Sequence, residues 1–167
     1  NPEQNAQLVQ LICKLAGQVT GKKILDLYCG MGNFSIPLAL QGANLTGIEG
    51  SQESVQWAQK NAKTAKVAAR FIAADVSNTL QGLLDNGEQV DIILLDPPRT
   101  GMGKTANLLA QLHPKKILYI SCDPATLARD LNQICKDGYS LSRLIPVDMF
   151  PQTSHIESVA LLEKILP

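Results

Sequence analysis

Apolar and polar positions along this chain change rhythm at regular intervals, and each change marks the border of an element. KKILDLY (22–28) is an apolar run that stops at the glycine-rich CGMGN. FSIPLALQG (34–42) has helical spacing closed by Gly42, and ANLTGIEG (43–50) returns to a strand pattern. Ser51 can cap a helix over QESVQWAQKNAKTA, which places Val55, Ala58 and Ala62 on one face. AARFIAAD (68–75) predicts a third strand ending in Asp75. Ser77 then opens a helix, NTLQGLLDN, that Gly87 ends. VDIILLD (90–96) is apolar without a break, as a central parallel strand covered on both faces requires.

DPPRTG follows as a loop, KTANLLAQL as a helix and KKILYIS (115–121) as a fifth strand. PATLARDLNQICK (124–136) sets Leu127, Leu131 and Ile134 at i, i+4 and i+7. Asp123 stands at its N-cap, Pro124 at its first position and Gly138 just past its end. YSLSRLIPVDMF and HIESVALLEKI then give two strand-like runs with no helix between them. Five strand–helix units and a strand pair predict a doubly wound, Rossmann-like α/β sheet of seven strands, parallel apart from an antiparallel last strand. No repeat, low-complexity tract or linker interrupts the pattern, so residues 1–167 are expected to form a single domain.

Composition narrows the setting. A chain of 167 residues can bury about 70% of its unfolded surface around one core. Apolar residues make up 45% of it, but no run approaches the ~20 residues of a membrane span, and no signal-peptide pattern is present. Cys13, Cys29, Cys122 and Cys135 form no CxxC pair and no Cys/His cluster at zinc-ligand spacing. The expectation is a reduced, cytoplasmic, monomeric protein with free thiols and no metal. The chain opens on Asn1 rather than Met, as a piece of a longer protein would. Fifteen basic and fifteen acidic residues cancel, so a nucleic-acid partner would need a local patch or another domain for electrostatic affinity.

In a doubly wound sheet, ligands bind beyond the carboxyl ends of the strands. There the first turn offers Gly30 and Gly32, which permit close backbone approach. Strand two ends in Glu49, suited to both hydroxyls of a ribose; Asp75 ends strand three beside an adenine site, and Asp96 ends strand four. A dinucleotide site would share these features, but Ser35 occupies the third glycine position of GxGxxG, and the antiparallel last strand departs from a dehydrogenase. S-adenosylmethionine has no phosphates to cradle, and a row of strand-end acids suits its ribose, adenine and ammonium groups.

The other strand ends suggest a reaction. A strand-four D/N-P-P motif followed by an aromatic marks amine methylation; Arg99 stands at that place and favours carbonyl or phosphate acceptors. Cys122 lies between strand five and a helix N-terminus, which stabilises a thiolate, while Asp123 pulls the other way. Cys13, Cys29 and Cys135 read as structural, and Cys122 taken alone is either core filler or nucleophile. In HIESV, His155 and Glu157 share one strand face. An antiparallel last strand starts where the parallel strands end, which brings Glu157 near Cys122 and Asp96. A thiol, a carboxylate base and a methyl donor together define methylation of carbon 5 of a pyrimidine, with thiolate addition at carbon 6. The base then removes the carbon-5 proton so that the thiol can leave.

LDLYCGMGNFSIPLA, LLDPPRTG, YISCDPATLARDL and DMFPQTSHIESVALL together resemble the RNA 5-methyluridine methyltransferases over nearly the whole chain. The resemblance implies Cys122 as nucleophile and Glu157 as base. It implies S-adenosylmethionine contacts from Tyr28, Asn33, Glu49, Asp75 and Asp96, beside Gly30 of the turn. It further implies an RNA substrate, 23S ribosomal RNA first and transfer RNA as the alternative. Such enzymes also carry N-terminal RNA-binding parts, commonly a small OB-type barrel and sometimes an iron–sulfur cluster, expected to lie outside this chain. Two rivals differ by residue: a cytosine-5 methyltransferase carries a Cys in the strand-four motif, where DPPR has none. A non-catalytic S-adenosylmethionine or RNA-binding module needs neither Cys122 nor Glu157.

Overall fold

The computed structural model describes residues 2–148 and 157–165. Strands β1 (Lys23–Leu27), β2 (Asn44–Glu49), β3 (Ala69–Ala73), β4 (Ile92–Leu95), β5 (Lys116–Ser121), β6 (Tyr139–Val147) and β7 (Glu157–Lys164) form one sheet ordered β3-β2-β1-β4-β5-β7-β6. β7 runs antiparallel to both of its neighbours, β5 and β6, and the remaining pairs are parallel. This is the predicted doubly wound sheet with its last strand reversed.

Alternation along the central strands explains the two covered faces. Leu94, Leu118, Ile120, Val159 and Leu161 pack with helices α1 (Pro2–Ala16), α2 (Ser35–Leu40) and α3 (Gln52–Ala65). Their strand neighbours Ile93, Leu95, Ile117, Tyr119, Ala160 and Leu162 pack with α4 (Val76–Asp85), α5 (Ala106–Gln111) and α6 (Pro124–Lys136). Successive strand residues point to opposite faces, so continuous apolar runs are what a sheet between two helical layers demands.

Several borders differ from those read in the sequence. α1 lies before the first predicted strand. Its polar first two turns conceal a stripe of Leu8, Ile12, Leu15 and Ala16 that is buried, and Lys116 Nζ on β5 caps its last carbonyls at Leu15 (3.0 Å) and Ala16 (3.3 Å). β3 stops at Ala73, opposite Glu49, so Asp75 is not a strand end. It is the N-cap of α4, its Oδ1 accepting from the Asn78 N–H at 2.8 Å, and Ser77 sits inside the helix. The KTANLLAQL helix divides into a 3-10 turn, Gly103–Thr105, and α5.

Candidate active site

The strand order reverses between β1 and β4, and the turn after β1 lies at that switch point. Tyr28 (φ 59°), Gly30 (φ 52°) and Gly32 (φ 88°) all take the left-handed region. Tyr28 does so with a side chain, a conformation that needs its surroundings to hold it. The Glu49 carboxylate supplies part of that hold: Oε2 accepts from Gly30 N–H (3.1 Å) and Oε1 from Ser51 N–H (2.8 Å). An ionised carboxylate has about four lone-pair sites, so Glu49 keeps acceptor capacity towards a ligand lying over the turn. Asn33 is exposed, and its amide exchanges two hydrogen bonds of 2.9 Å with Asn5 of α1.

The Tyr28 phenol is half-buried, and its pKa is raised by that burial and by the carboxylates of Asp75, Asp130 and Glu49. It therefore remains a neutral O–H donor. Asp26, buried beneath the turn on β1, has its carboxyl pushed up to about 7 by desolvation, against the Ser35 hydroxyl that donates to it; Asp96 and Glu49 push further in the same direction. Asp96, just past β4, is likewise pushed up to about 7. Desolvation by the surrounding protein is the larger cause, although the residue as a whole is exposed, and the charge of Glu157 pushes the same way. Asp26 feels the charges of Asp96 and Glu49, and Asp96 feels that of Glu157, so these four acids form a cluster whose repulsion a nearby cation would relieve.

Beyond β5 the chain is fixed tightly around Cys122. Ser121 Oγ donates to the Asp123 carbonyl (3.0 Å) and accepts from the Asp123 N–H (3.1 Å), bracketing the half-buried thiol residue. Asp123 turns its carboxylate into the cap of α6, accepting from Thr126 N–H at 2.8 Å. That bond chiefly holds its pKa low, and the Arg99 charge contributes in the same direction. Ser121 pairs with Ser158 across β5 and β7, so Cys122 and Glu157 occupy the next step on adjoining chains. Asp96, Arg99, Cys122 and Glu157 therefore gather at one sheet edge. His155 lies outside the described residues.

Sequence reasoning overlooked Asp26 and Asp130. Both are acids within apolar stripes, Asp26 inside KILDL and Asp130 between Leu127 and Ile134, and both are buried. An ionisable residue on a core-facing stripe is itself a signal. Among the described residues no cluster of three His, Cys, Asp or Glu could hold a metal ion, and no helix is long and apolar enough to cross a membrane.

The architecture is that of S-adenosylmethionine-dependent methyltransferases. Magnesium protoporphyrin IX methyltransferase from Synechocystis PCC 6803 with bound SAM superposes with a TM-score of 0.71 at 18% identity, covering 97% of this chain and 78% of that one, a likeness of fold alone. Within that class the chain belongs to the tRNA (uracil-5-)-methyltransferase family, whose model matches residues 1–165. It is 42% identical over 169 residues to a 23S rRNA (uracil(1939)-C(5))-methyltransferase of Acinetobacter baumannii, covering 99% of this chain and 37% of that protein. An uncharacterized RNA methyltransferase of Protochlamydia amoebophila is 41% identical, with 99% and 38% covered. The crystal structure of the Pyrococcus abyssi tRNA (uracil-54, C5)-methyltransferase with S-adenosyl-L-homocysteine is similar at a TM-score of 0.79 and 34% identity, covering 95% of this chain and 38% of that one. The chain thus spans well under half the length of these relatives.

Proposed function

We propose that this chain is the cofactor-binding and catalytic part of an enzyme that methylates carbon 5 of a uridine in RNA. The observation that carries the reading is the β5–β7 register, which puts Cys122 and Glu157 at the next step on adjoining chains, with Glu157 close enough to Asp96 to repel its charge. S-adenosylmethionine would suit this acidic cluster, whose carboxylates, Asp96 foremost, would favour its sulfonium and ammonium charges. Its ribose hydroxyls would suit Glu49, and Tyr28, Gly30, Asn33 and Asp75 are the further contacts this reading assigns to it. When bound, it supplies an electrophilic methyl group.

The remaining chemistry belongs to side chains of this chain. The Cys122 thiolate forms a bond to carbon 6 of the uracil, and the pair of electrons released from the 5,6 double bond makes carbon 5 nucleophilic. Once carbon 5 has taken the methyl group, Glu157 removes its proton. The electrons of that C–H bond restore the double bond as the bond from sulfur to carbon 6 breaks. A pyrimidine ring needs both groups; a binding module needs neither. The absence of a thiol in DPPR disfavours a cytosine-5 enzyme.

The relative from Acinetobacter favours a 23S ribosomal RNA uridine, and the archaeal structure supports transfer RNA as the second reading. The neutral charge of this chain assigns most of the RNA grip to the remainder of the full-length protein. Full-length enzyme incubated with S-adenosylmethionine and RNA carrying 5-fluorouridine at the target should form a denaturation-resistant adduct, since fluorine cannot leave as a proton does. Cys122→Ala should form none; an undiminished adduct in that variant would sink the reading. Mapping 5-methyluridine in cells lacking the protein then separates ribosomal from transfer RNA.

A further inference from the structure

We propose that Asp130 is a positioning residue for this reaction: it locks the loop after β4 onto α6, so that Asp96 and Arg99 face Cys122 in one fixed geometry. The proposal rests on the reading of Cys122 as the nucleophile. Asp130 is fully buried on α6, among Leu127, Leu131 and Ile134. A carboxylate there is tolerated only when its oxygens are satisfied. Oδ2 accepts from the Tyr119 hydroxyl (2.6 Å) and from the Met102 N–H (2.6 Å). Oδ1 accepts from Arg129 Nε (3.0 Å), with Nη2 of the same guanidinium at 2.9 Å. That Nη2 also donates to the Thr100 carbonyl at 2.7 Å.

The carboxylate therefore ties β5 and Met102 to α6, and the Arg129 guanidinium it holds adds Thr100 as a second point of the loop. Gly101 shows how closely they meet. Its φ is +67°, and a Cβ there would collide with Asp130 Oδ2 and lie 2.9 Å from Arg129 Nη2 and 3.2 Å from the Tyr119 oxygen. Stability alone does not account for the arrangement. An apolar residue would fill this site at similar or lower cost, and the better-attested use of a buried ion pair is to specify one geometry among several. The geometry specified here is functional. Asp130 lies about two helical turns, roughly 10 Å, from the N-terminus of α6, where Cys122 and Asp123 stand. At the other end, the pinned loop carries Asp96 to within electrostatic reach of Glu157 and Arg99 to within electrostatic reach of Asp123.

The test uses full-length enzyme, saturating S-adenosylmethionine and RNA with 5-fluorouridine at the target. Both the rate constant and the endpoint of covalent trapping are followed for Asp130→Asn, Tyr119→Phe and Gly101→Ala. The endpoint counts competent molecules; the rate reports alignment in those that are competent. A misplacement near 1 Å costs about a hundredfold, so trapping rates should fall roughly tenfold to a hundredfold. The KM for S-adenosylmethionine should stay within about twofold of wild type. A merely structural Asp130 predicts the reverse, a lower melting temperature and endpoint with a wild-type rate, and that result overturns the proposal. If Asp130→Asn does not fold, Tyr119→Phe, which deletes one hydroxyl, decides the matter alone. Wild-type enzyme that forms no adduct sinks the nucleophile reading first, and this proposal with it. That failure is distinguishable because it appears before any variant is compared.

Discussion

The two halves of the sheet edge are built by different means. The half under the turn after β1 is compact: Glu49 at the end of β2 accepts from the Gly30 N–H, 19 residues away, and from the Ser51 N–H, two residues away. The half around Cys122 is assembled from the loop after β4, the end of β5, the start of α6 and the start of β7. No hydrogen bond between neighbours in sequence could bring Cys122 and Glu157 together; the antiparallel register does it. One carboxylate thus fastens the turn, whereas the meeting of Cys122 and Glu157 depends on the whole sheet.

The sharpest way to break this contrast is to remove a reacting group. Cys122→Ala should lower methylation by about 10⁴-fold or more, since loss of a nucleophile eliminates the covalent route. Cofactor affinity, measured by calorimetry, should remain within about twofold, because no contact of the turn depends on the thiol. Next in size is Glu157→Gln, with an expected loss of about 10²–10³-fold in turnover. Here the trapped species decides: ordinary RNA should accumulate as a methylated adduct detectable by mass. Free product at the normal rate would take the base role away from Glu157.

In the cofactor half the effects should be smaller and should appear in binding. Glu49→Ala removes a carboxylate that fastens Gly30 and Ser51, and charged hydrogen bonds contribute about 1.5–3 kcal/mol each, so S-adenosylmethionine affinity should fall roughly tenfold to a hundredfold. Trapping at saturating cofactor should be affected less. An equal loss in both measurements would show the two halves to be one unit.

What was legible in the sequence follows the same division. The acids that close apolar runs and the glycine turn announce themselves by residue type and place, even though Glu49 finds Gly30, 19 residues away. The caps at Ser51 and Asp123 were legible for that reason, and both accept the expected N–H bonds. Asp75 shows the limit of such reading. Its residue type suits a strand end and a helix cap equally, and only the end of β3–β2 pairing at Ala73 shows that it stands past the strand as a cap. Asp26 and Asp130 escaped because a charge within an apolar stripe gives no hint of the distant Ser35, Tyr119 or Met102 that satisfies it.

pH sharpens the comparison further. Asp26 and Asp96 both have carboxyls pushed up to about 7, chiefly by desolvation. A cationic ligand favours their ionised forms, so S-adenosylmethionine affinity should rise as pH increases to about 7 and level off above it. One linked proton allows at most about tenfold per pH unit, and an observed rise of about threefold to tenfold between pH 6 and 7.5 is expected, flattened in Asp96→Asn. Stability should move the other way. The folded state binds the Asp26 proton more tightly than the unfolded chain, whose value is 3.8, so this contribution is greatest below that value and is lost as pH rises towards about 7. Melting temperatures of Asp26→Asn, followed from pH 5 to 8, should therefore decline less than those of wild type.

The smallest effect tests whether the cofactor half is as compact as its geometry suggests. Asn33 stands in the turn, yet its amide partner is Asn5, 28 residues earlier on a helix that the apolar pattern conceals. The pair is exposed, and each neutral hydrogen bond contributes about 0.5–1.5 kcal/mol, less at a surface where water competes. Asn5→Ala frees the Asn33 amide without touching the turn's own backbone bonds. If the turn is self-sufficient, cofactor affinity should weaken by no more than about twofold to threefold, with turnover at saturating cofactor unchanged. A loss as large as that of Glu49→Ala would mean that α1 is part of the cofactor site. The contrast would then lie between a turn braced by a remote helix and an edge braced by a remote strand, and no part of this site would be compact.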